Sequence, residues 1–348
     1  MSQKKVLIVG GGFAGARVAQ DLTKAGFTNV TLVDRKDYFE VTYATLRSLV
    51  QLGPLSQRSR MAYADFITGD FVQGEVTHLS DREAILASGD TLGFDYLVVA
   101  TGSRYTTLPL TKSHDGLALD DRHREFADWH DELEAGKNIL IIGGGAVGVE
   151  LAGEIAHAYP AKSVTLAEGN SRLLGELQPK AGQIAKAQLQ KLGVTVLLDT
   201  MLQADDERLA SADIVYSCIG VSPNTELMEE AFSSALDAAR RIKVDASLRM
   251  EAHPHVFAIG DCANVPEGKL GYAADMQGAA VAKNIIRLRN GKAPRRYKPG
   301  PMMALVPVGP DQGVAQLPFG ITTFKPLVGM KQKDLFIAKQ FKNMGVKR

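Results

Sequence analysis

Val6-Leu7-Ile8-Val9-Gly10-Gly11-Gly12-Phe13-Ala14-Gly15 and Ile139-Leu140-Ile141-Ile142-Gly143-Gly144-Gly145-Ala146-Val147-Gly148 carry one pattern twice. Each is an apolar strand running into a G-x-G-x-x-G turn that opens a helix. A second strand follows in each copy and ends on a carboxylate: Val30-Thr31-Leu32-Val33-Asp34 and Val164-Thr165-Leu166-Ala167-Glu168. The acid stands 19 residues beyond the third glycine in the first copy and 20 in the second. At that spacing it can accept hydrogen bonds from an adenosine ribose. The first glycine permits the tight turn, the second lets backbone approach a pyrophosphate, and the third lets the helix pack against the strand. The phosphates then rest on the unpaired N–H groups at the positive end of the helix. A single such turn is weak evidence. Two of them, each with its distal acid, predict two bound dinucleotides, and the pair that fits is a flavin and a nicotinamide.

Length and composition agree with this. The 348 residues suffice for two or three domains, each with its own core. A net charge of +1 sets up no field that would recruit nucleic acid, and none is expected as a partner. Cys218 and Cys262 are the only cysteines and form no C-x-x-C pair. They can build neither a disulfide framework nor a zinc site, so no metal is expected and electrons cannot pass through a cysteine pair. The start, Met1-Ser2-Gln3-Lys4-Lys5, lacks the apolar stretch of a secretory signal, and Ser2 does not fit the N-myristoylation signal. No apolar run approaches the roughly 20 residues that cross a bilayer. The expectation is an intracellular, cytoplasmic protein.

Along the chain, the first glycine turn opens a helix from Phe13 to about Ala25, stopped by Gly26. Residues 35–70 read as loops and helix around a cofactor, and 71–79 and 83–87 as short antiparallel strands. Phe94–Ala100 is a buried strand ending in Thr101-Gly102-Ser103, and 104–136 reads as a polar connector. The second unit starts at Lys137; its helix ends at Pro160, and strands follow near 194–198 and 213–218. Val256-Phe257-Ala258-Ile259 is predicted to return to the first unit, followed by a helix over 275–289 and a last module after Pro299. The fold class is therefore α/β: two Rossmann-like dinucleotide-binding domains, the second inserted in the first, plus a small C-terminal module. The expected boundaries are 1–109 with 247–298, then 110–246, then 299–348.

The chain resembles the two-dinucleotide flavoproteins, the superfamily of glutathione reductase, ferredoxin reductases, type II NADH dehydrogenases and apoptosis-inducing factor. The matching elements are Gly10–Gly15 with Asp34, Ala100-Thr101-Gly102, Gly143–Gly148 with Glu168, and Ala258-Ile259-Gly260-Asp261. Within that group it looks most like the ferroptosis suppressor, or apoptosis-inducing factor 2-like, branch. The marks are Gly-Gly-Gly-Phe-x-Gly, Ala44-Thr45-Leu46-Arg47, Gly260-Asp261-Cys262-Ala263, Tyr297-Lys298-Pro299-Gly300 and the run from Lys331 to Phe336.

The resemblance assigns roles to individual residues. Gly10, Gly11, Gly12, Phe13, Ala14 and Gly15 would hold FAD, with Asp34 on its ribose, Arg47 facing its phosphates and Val76 offering backbone to its adenine side. Thr101, Gly102, Gly260 and Asp261 would complete that site, Asp261 holding the ribityl chain. A helix beginning near Asp275-Met276-Gln277 would point its N-terminus at the flavin. Gly143, Gly145, Ala146, Val147, Gly148, Glu168 and Gly220 would hold NADH or NADPH. Glu168 favours NADH because a carboxylate repels a 2′-phosphate; Arg172 nearby softens that preference. Glu150, Lys331 and Phe336 would stand near the reacting rings.

The last segment, 320–348, sets seven Lys and Arg against one acid, Asp334, among Leu335, Phe336, Ile337, Phe341 and Met344. It reads equally as a docked helix with a basic side and as an element lying on a membrane or lipid droplet. The function expected is an FAD-dependent NAD(P)H:quinone oxidoreductase, passing a hydride from the nicotinamide to the flavin and two electrons on to a ubiquinone- or menaquinone-type quinone, in a monomer or homodimer. This chemistry would serve to protect lipids from peroxidation. Reduction of a ferredoxin-like protein and a redox-sensing signalling role are the alternatives.

Overall fold

The computed structural model describes residues 4–346; Ser2 and the Lys347-Arg348 end lie outside them. Val6–Val9, continuously buried, lies at the middle of a six-stranded sheet. It pairs in parallel with Val30–Asp34 on one side and Tyr96–Val99 on the other. Such unbroken apolar runs suit parallel strands covered on both faces, and they are what made the sequence readable here. Asp70–Gln73 adds outside Val30–Asp34, His253–Ala258 outside Tyr96–Val99, both in parallel, and Arg249–Met250 forms the far antiparallel edge. Helices Phe13–Lys24 and Gly271–Arg289 pack together on this sheet. Gly278 permits their close approach: a Cβ there would stand 2.6 Å from the Ala14 carbonyl oxygen.

The second unit is a parallel sheet in the order Thr195–Leu197, Ser163–Ala167, Asn138–Ile142, Ile214–Ser217. The chain leaves the first unit through Ser103–Tyr105 and returns through Val221–Pro223, and these two crossings pair as an antiparallel ribbon. The second dinucleotide-type unit is thus inserted into the first.

Four details differ from the sequence reading. The stretch 71–79 is two strands: Asp70–Gln73 joins the main sheet, then the chain turns at Gly74 and Val76–Leu79 begins a meander with Glu83–Leu86 and Thr91–Gly93. Residues 104–136 contain a 17-residue helix, Leu119–Ala135. Residues 35–70 include a small antiparallel pair, Tyr38–Glu40 with Arg60–Ala62, beside short helices Thr45–Val50 and Pro54–Arg58. The long helix begins at Gly271, four residues before Asp275, so Asp275-Met276-Gln277 lie in its second turn.

The tail forms an antiparallel sheet, Ala304–Val308, Gln312–Leu317 and Gly320–Thr322, then helices Lys325–Gln332 and Ile337–Asn343. Its hairpin seats on the second unit at Gly153, where a Cβ would stand 2.7 Å from the Gly309 nitrogen. Its final helix docks on the first unit, with Leu335, Ile337, Phe341 and Met344 in that unit's core. Among the described residues, no helix is long and apolar enough to cross a membrane.

Candidate functional site

The two glycine turns divide their labour as the pattern requires. Gly10 and Gly143 have φ of +101° and +103°, a backbone that disfavours a side chain. Gly15 and Gly148 pass so close to the turn that a Cβ would stand 1.8 and 1.9 Å from the carbonyl oxygens of Gly10 and Gly143. At Gly12 and Gly145 a Cβ would meet nothing within 4 Å. These middle glycines open on space, which is the cradle a pyrophosphate needs at a helix start. Phe13 and Ala14 follow, Phe13 against the rings of Phe39 and Tyr43. Exposed Ala146 and half-buried Val147 begin the corresponding helix, Ala146–Ala158.

Each distal acid reaches its own turn. The Gly11 N–H donates to Asp34 Oδ2 at 2.5 Å, and the Gly144 N–H donates to Glu168 Oε2 at 2.6 Å. Glu168 Oε1 is bonded by the Asn170 N–H. Arg172 is turned away: its guanidinium donates to the carbonyls of Leu177 and Gly175 at 2.8 and 2.7 Å. Val76 is half-buried at the start of the meander, three residues past Gln73, which registers with Asp34.

Asp261 follows the returning strand and accepts from Ser103 Oγ at 2.6 Å and from Lys112 Nζ at 3.1 Å. Burial would raise its carboxyl, but Lys112 and Ser103 hold it below the ordinary carboxylate range. The neighbouring Gly260 N–H donates to Gln277 Oε1. Thr101 and Gly102 are joined to Asn224 of the returning crossing, the Asn224 N–H donating to the Gly102 carbonyl. Gly220, at φ +79°, turns the chain just before that crossing. Met276 is exposed on its helix.

The third cluster joins the tail to the second unit. Lys331 Nζ donates to Glu150 Oε1 at 2.7 Å and to the Leu305 carbonyl at 3.0 Å, with 10% and 12% of the Lys331 and Glu150 side chains exposed. Burial lifts the Glu150 carboxyl above its ordinary value, against the pull of Lys331. One helical turn on, Glu154 is gripped by Arg47 at 2.7 Å, and the remaining Arg47 nitrogen donates to the Gln332 carbonyl at 2.6 Å. Arg47 therefore has partners other than the phosphates expected for it. Its guanidinium is spent on a buried carboxylate from the second unit and a carbonyl from the tail. Phe336 and Leu335 both adopt the left-handed backbone, φ +58° and +51°, and Asp334 holds the pair by accepting from the Phe336 and Ala338 N–H groups. The structure thus brings together Glu150, Lys331 and Phe336, the last across the ring of Tyr43.

Tyr43, Lys112, Asn224 and Glu154 escaped the sequence reading, which gave Ser103 a place in the Thr101-Gly102-Ser103 turn but no role. Glu154 alone had a signal, since it stands four residues after Glu150 on one helix face.

The sequence model of the pyridine nucleotide-disulphide oxidoreductase family matches residues 4–278, and the chain belongs to that family. It is a flavoprotein oxidoreductase that uses a nicotinamide dinucleotide. Over its whole length it is similar to ferroptosis suppressor protein 1 of Xenopus tropicalis, 32% identical over 363 residues covering 98% of this chain and 96% of the relative. Apoptosis-inducing factor homolog B of Dictyostelium discoideum is 30% identical, with 90% of each chain covered. The resemblance drawn from the motifs is borne out. Among solved structures, NDH2 from Plasmodium falciparum in complex with NADH superposes with a TM-score of 0.75 at 16% identity, covering 99% of this chain and 100% of that one. The sulfide:quinone oxidoreductase of Aquifex aeolicus gives 0.79 at 16% identity, covering 98% and 92%. These two establish the fold. This chain departs from the family's name in one respect: Cys218 and Cys262 are both free, and burial pushes both thiols up, Cys218 to about 12.

Proposed function

We propose that the protein is an FAD-dependent NAD(P)H:quinone oxidoreductase that prefers NADH. The observation that carries this reading is the buried Glu150–Lys331 pair, which joins the helix of the second glycine turn to the tail. Residues 1–109 with 247–298 would hold FAD through the first glycine turn, Asp34, Thr101, Gly102 and Asp261. Residues 110–246 would hold the nicotinamide through the second turn, Glu168 and Gly220, and 299–348 would close the acceptor side. Bound FAD would supply the redox chemistry, taking two electrons from the nicotinamide and giving them to the quinone. The balanced reaction, NADH + H⁺ + quinone → NAD⁺ + quinol, draws one proton from solvent. Glu150, lifted by burial, is suited to hold that proton, and Lys331 to offset charge beside it. Glu168 would set a carboxylate against a 2′-phosphate, and Arg172, bonded to the Leu177 and Gly175 carbonyls, does not offset it, which supports NADH.

Stopped-flow absorbance of the FAD-loaded protein tests this. Anaerobic reduction by NADH is expected to outrun NADPH by at least about tenfold, and a short-chain ubiquinone is expected to reoxidise the flavin faster than oxygen does. Glu150→Gln is expected to slow reoxidation by about 100-fold while sparing reduction. A reduced flavin that survives the quinone would sink the reading and favour a protein acceptor or a sensing role.

The tail is also proposed to rest on a lipid surface. Phe319, Phe324 and Met330 are 86%, 64% and 57% exposed, and Lys325, Lys333 and Lys339 are exposed among them. Apolar side chains that insert, flanked by lysines facing anionic headgroups, are what interfacial binding requires. The protein is expected to cosediment with vesicles containing about one-third anionic lipid. The double variant Phe319→Ser, Phe324→Ser should reduce the bound fraction about tenfold; equal binding by the two proteins would refute the contact.

A further inference from the structure

Tyr43 lies in the short 3-10 turn Thr42–Ala44, just before the helix that carries Arg47. Its ring meets two segments far apart in sequence, the first glycine turn and the tail. Phe13 of the first glycine turn is 5.0 Å away, Phe336 of the tail is 6.3 Å away edge-on, and the Lys331 ammonium stands 5.7 Å over the ring. The phenol oxygen abuts Gly271, the first residue of the long helix, where a Cβ would stand 2.6 Å from it. An ammonium has three N–H groups. Lys331 commits one to Glu150 and one to the Leu305 carbonyl, and the remaining side of the nitrogen has the Tyr43 ring for a wall. The face of an aromatic ring is negative and attracts a cation, more strongly where water is excluded, as it largely is around this side chain.

We propose that Tyr43 is a positioning residue for the Glu150–Lys331 pair: its ring face seats the Lys331 ammonium and fixes where the remaining N–H of Lys331 points. An aliphatic side chain of the same bulk would fill the space but not hold the charge. The consequence for turnover rests on the quinone-reductase reading; the seating of the lysine does not.

The test uses the FAD-loaded protein and two substitutions, Tyr43→Met, which keeps bulk without a π-face, and Tyr43→Phe, which keeps the face without the hydroxyl. Competitive acetylation with acetic anhydride, read lysine by lysine by mass spectrometry, reports how firmly Lys331 is held and needs no acceptor. Lys331 is expected to react about fivefold faster in Tyr43→Met than in the wild type, with the exposed lysines unchanged, and Tyr43→Phe is expected to restore slow labelling. Stopped-flow should then find flavin reoxidation by a short-chain ubiquinone slowed about tenfold in Tyr43→Met, with reduction by NADH within about twofold of wild type. Wild-type labelling of Lys331 in Tyr43→Met overturns the proposal, and so does fast labelling in Tyr43→Phe, which would make the hydroxyl the active element. Should Tyr43→Met fail to load FAD, the same labelling comparison on the apoproteins decides. If the wild type itself passes no electrons to the quinone while the labelling behaves as expected, the quinone reading falls and the seating of Lys331 stands.

Discussion

The Gly12→Val protein is expected to fold and to carry no flavin. Gly12 has φ of −65° and ψ of −167°, an extended conformation that valine adopts readily, and a Cβ there meets no protein atom within 4 Å. The isopropyl group would project into the cradle above the helix start, where a pyrophosphate has to approach the backbone. Gly10→Ala gives the opposite result. At φ +101°, with its Cβ 2.4 Å from the Ala100 carbonyl oxygen, alanine strains the turn itself, at a cost of about 2–4 kcal/mol. Absorbance near 450 nm (roughly the flavin band) and thermal melts by circular dichroism separate the two. Gly12→Val should lose the flavin band and keep the melting temperature of stripped wild-type protein, whereas Gly10→Ala should lower the melt. A Gly12→Val protein that purifies yellow would remove the first glycine turn from the FAD site.

The second large effect lies away from the nucleotide turns. Glu40 is fully buried and accepts from Arg60 Nε at 2.6 Å and from Arg122 Nε and Nη2, both at 3.1 Å. Both guanidinium groups also cover the ring of Phe126. This triad fastens helix Leu119–Ala135 to the small sheet of the first unit. Burial alone would raise the Glu40 carboxyl, yet Arg122 and Arg60 outweigh it and bring it down to about 2. Because the folded value lies below the ordinary 4.5, the stabilisation is fully present above that pH and is lost as pH falls from 4.5 towards 2. It amounts to about 3 kcal/mol. Glu40→Gln leaves two buried cations without their shared carboxylate and is expected to cost about 3–5 kcal/mol, a fall of about 5 °C in Tm. Its melting temperature should also fall less steeply than that of the wild type as pH drops below 4.5, the remaining dependence coming from other depressed carboxylates such as Asp245 and Asp261. A melt within about 2 °C of wild type at neutral pH would show that the triad contributes little.

How far each element could be read in advance follows from where its determinants sit. The central strands and both glycine turns are local: four buried residues, then glycines at fixed offsets, and a carboxylate one strand later. Helix Leu119–Ala135 was hidden because its inward face includes Arg122, a charge that patterning sends outward and that Glu40, 82 residues earlier, makes tolerable inside together with Glu125 and the Pro109 and Leu110 carbonyls. The start of the long helix was misplaced for a similar reason. Gly271 is a poor helix former, but Phe13 and Tyr43 leave no room there for any side chain, and a sequence window does not contain them. The split at Gly74 depends on which sheet has a free edge, which is a property of the assembled fold. Arg47 carries the same lesson at the site. Its charge was legible; its partner Glu154, 107 residues on, was not. The tail had two readings, and Leu335, Ile337, Phe341 and Met344, the apolar residues on which the surface reading leaned, are packed into the core of the first unit as the docked reading requires.

The ribbon formed by Ser103–Tyr105 and Val221–Pro223 has a mechanical meaning. Two separate tethers would let the inserted unit twist, tilt and slide independently. Two tethers bonded side by side, and tied again by Asn224 to Thr101 and Gly102, restrict such motion, and the buried Arg47–Glu154 and Arg122–Glu40 pairs restrict it further. The tail also grips the inserted unit at Gly153 and Glu150 and the first unit through Phe341, so it bridges the two. Any opening wide enough to exchange a nucleotide must therefore be accompanied by a shift of the segment that carries Lys331.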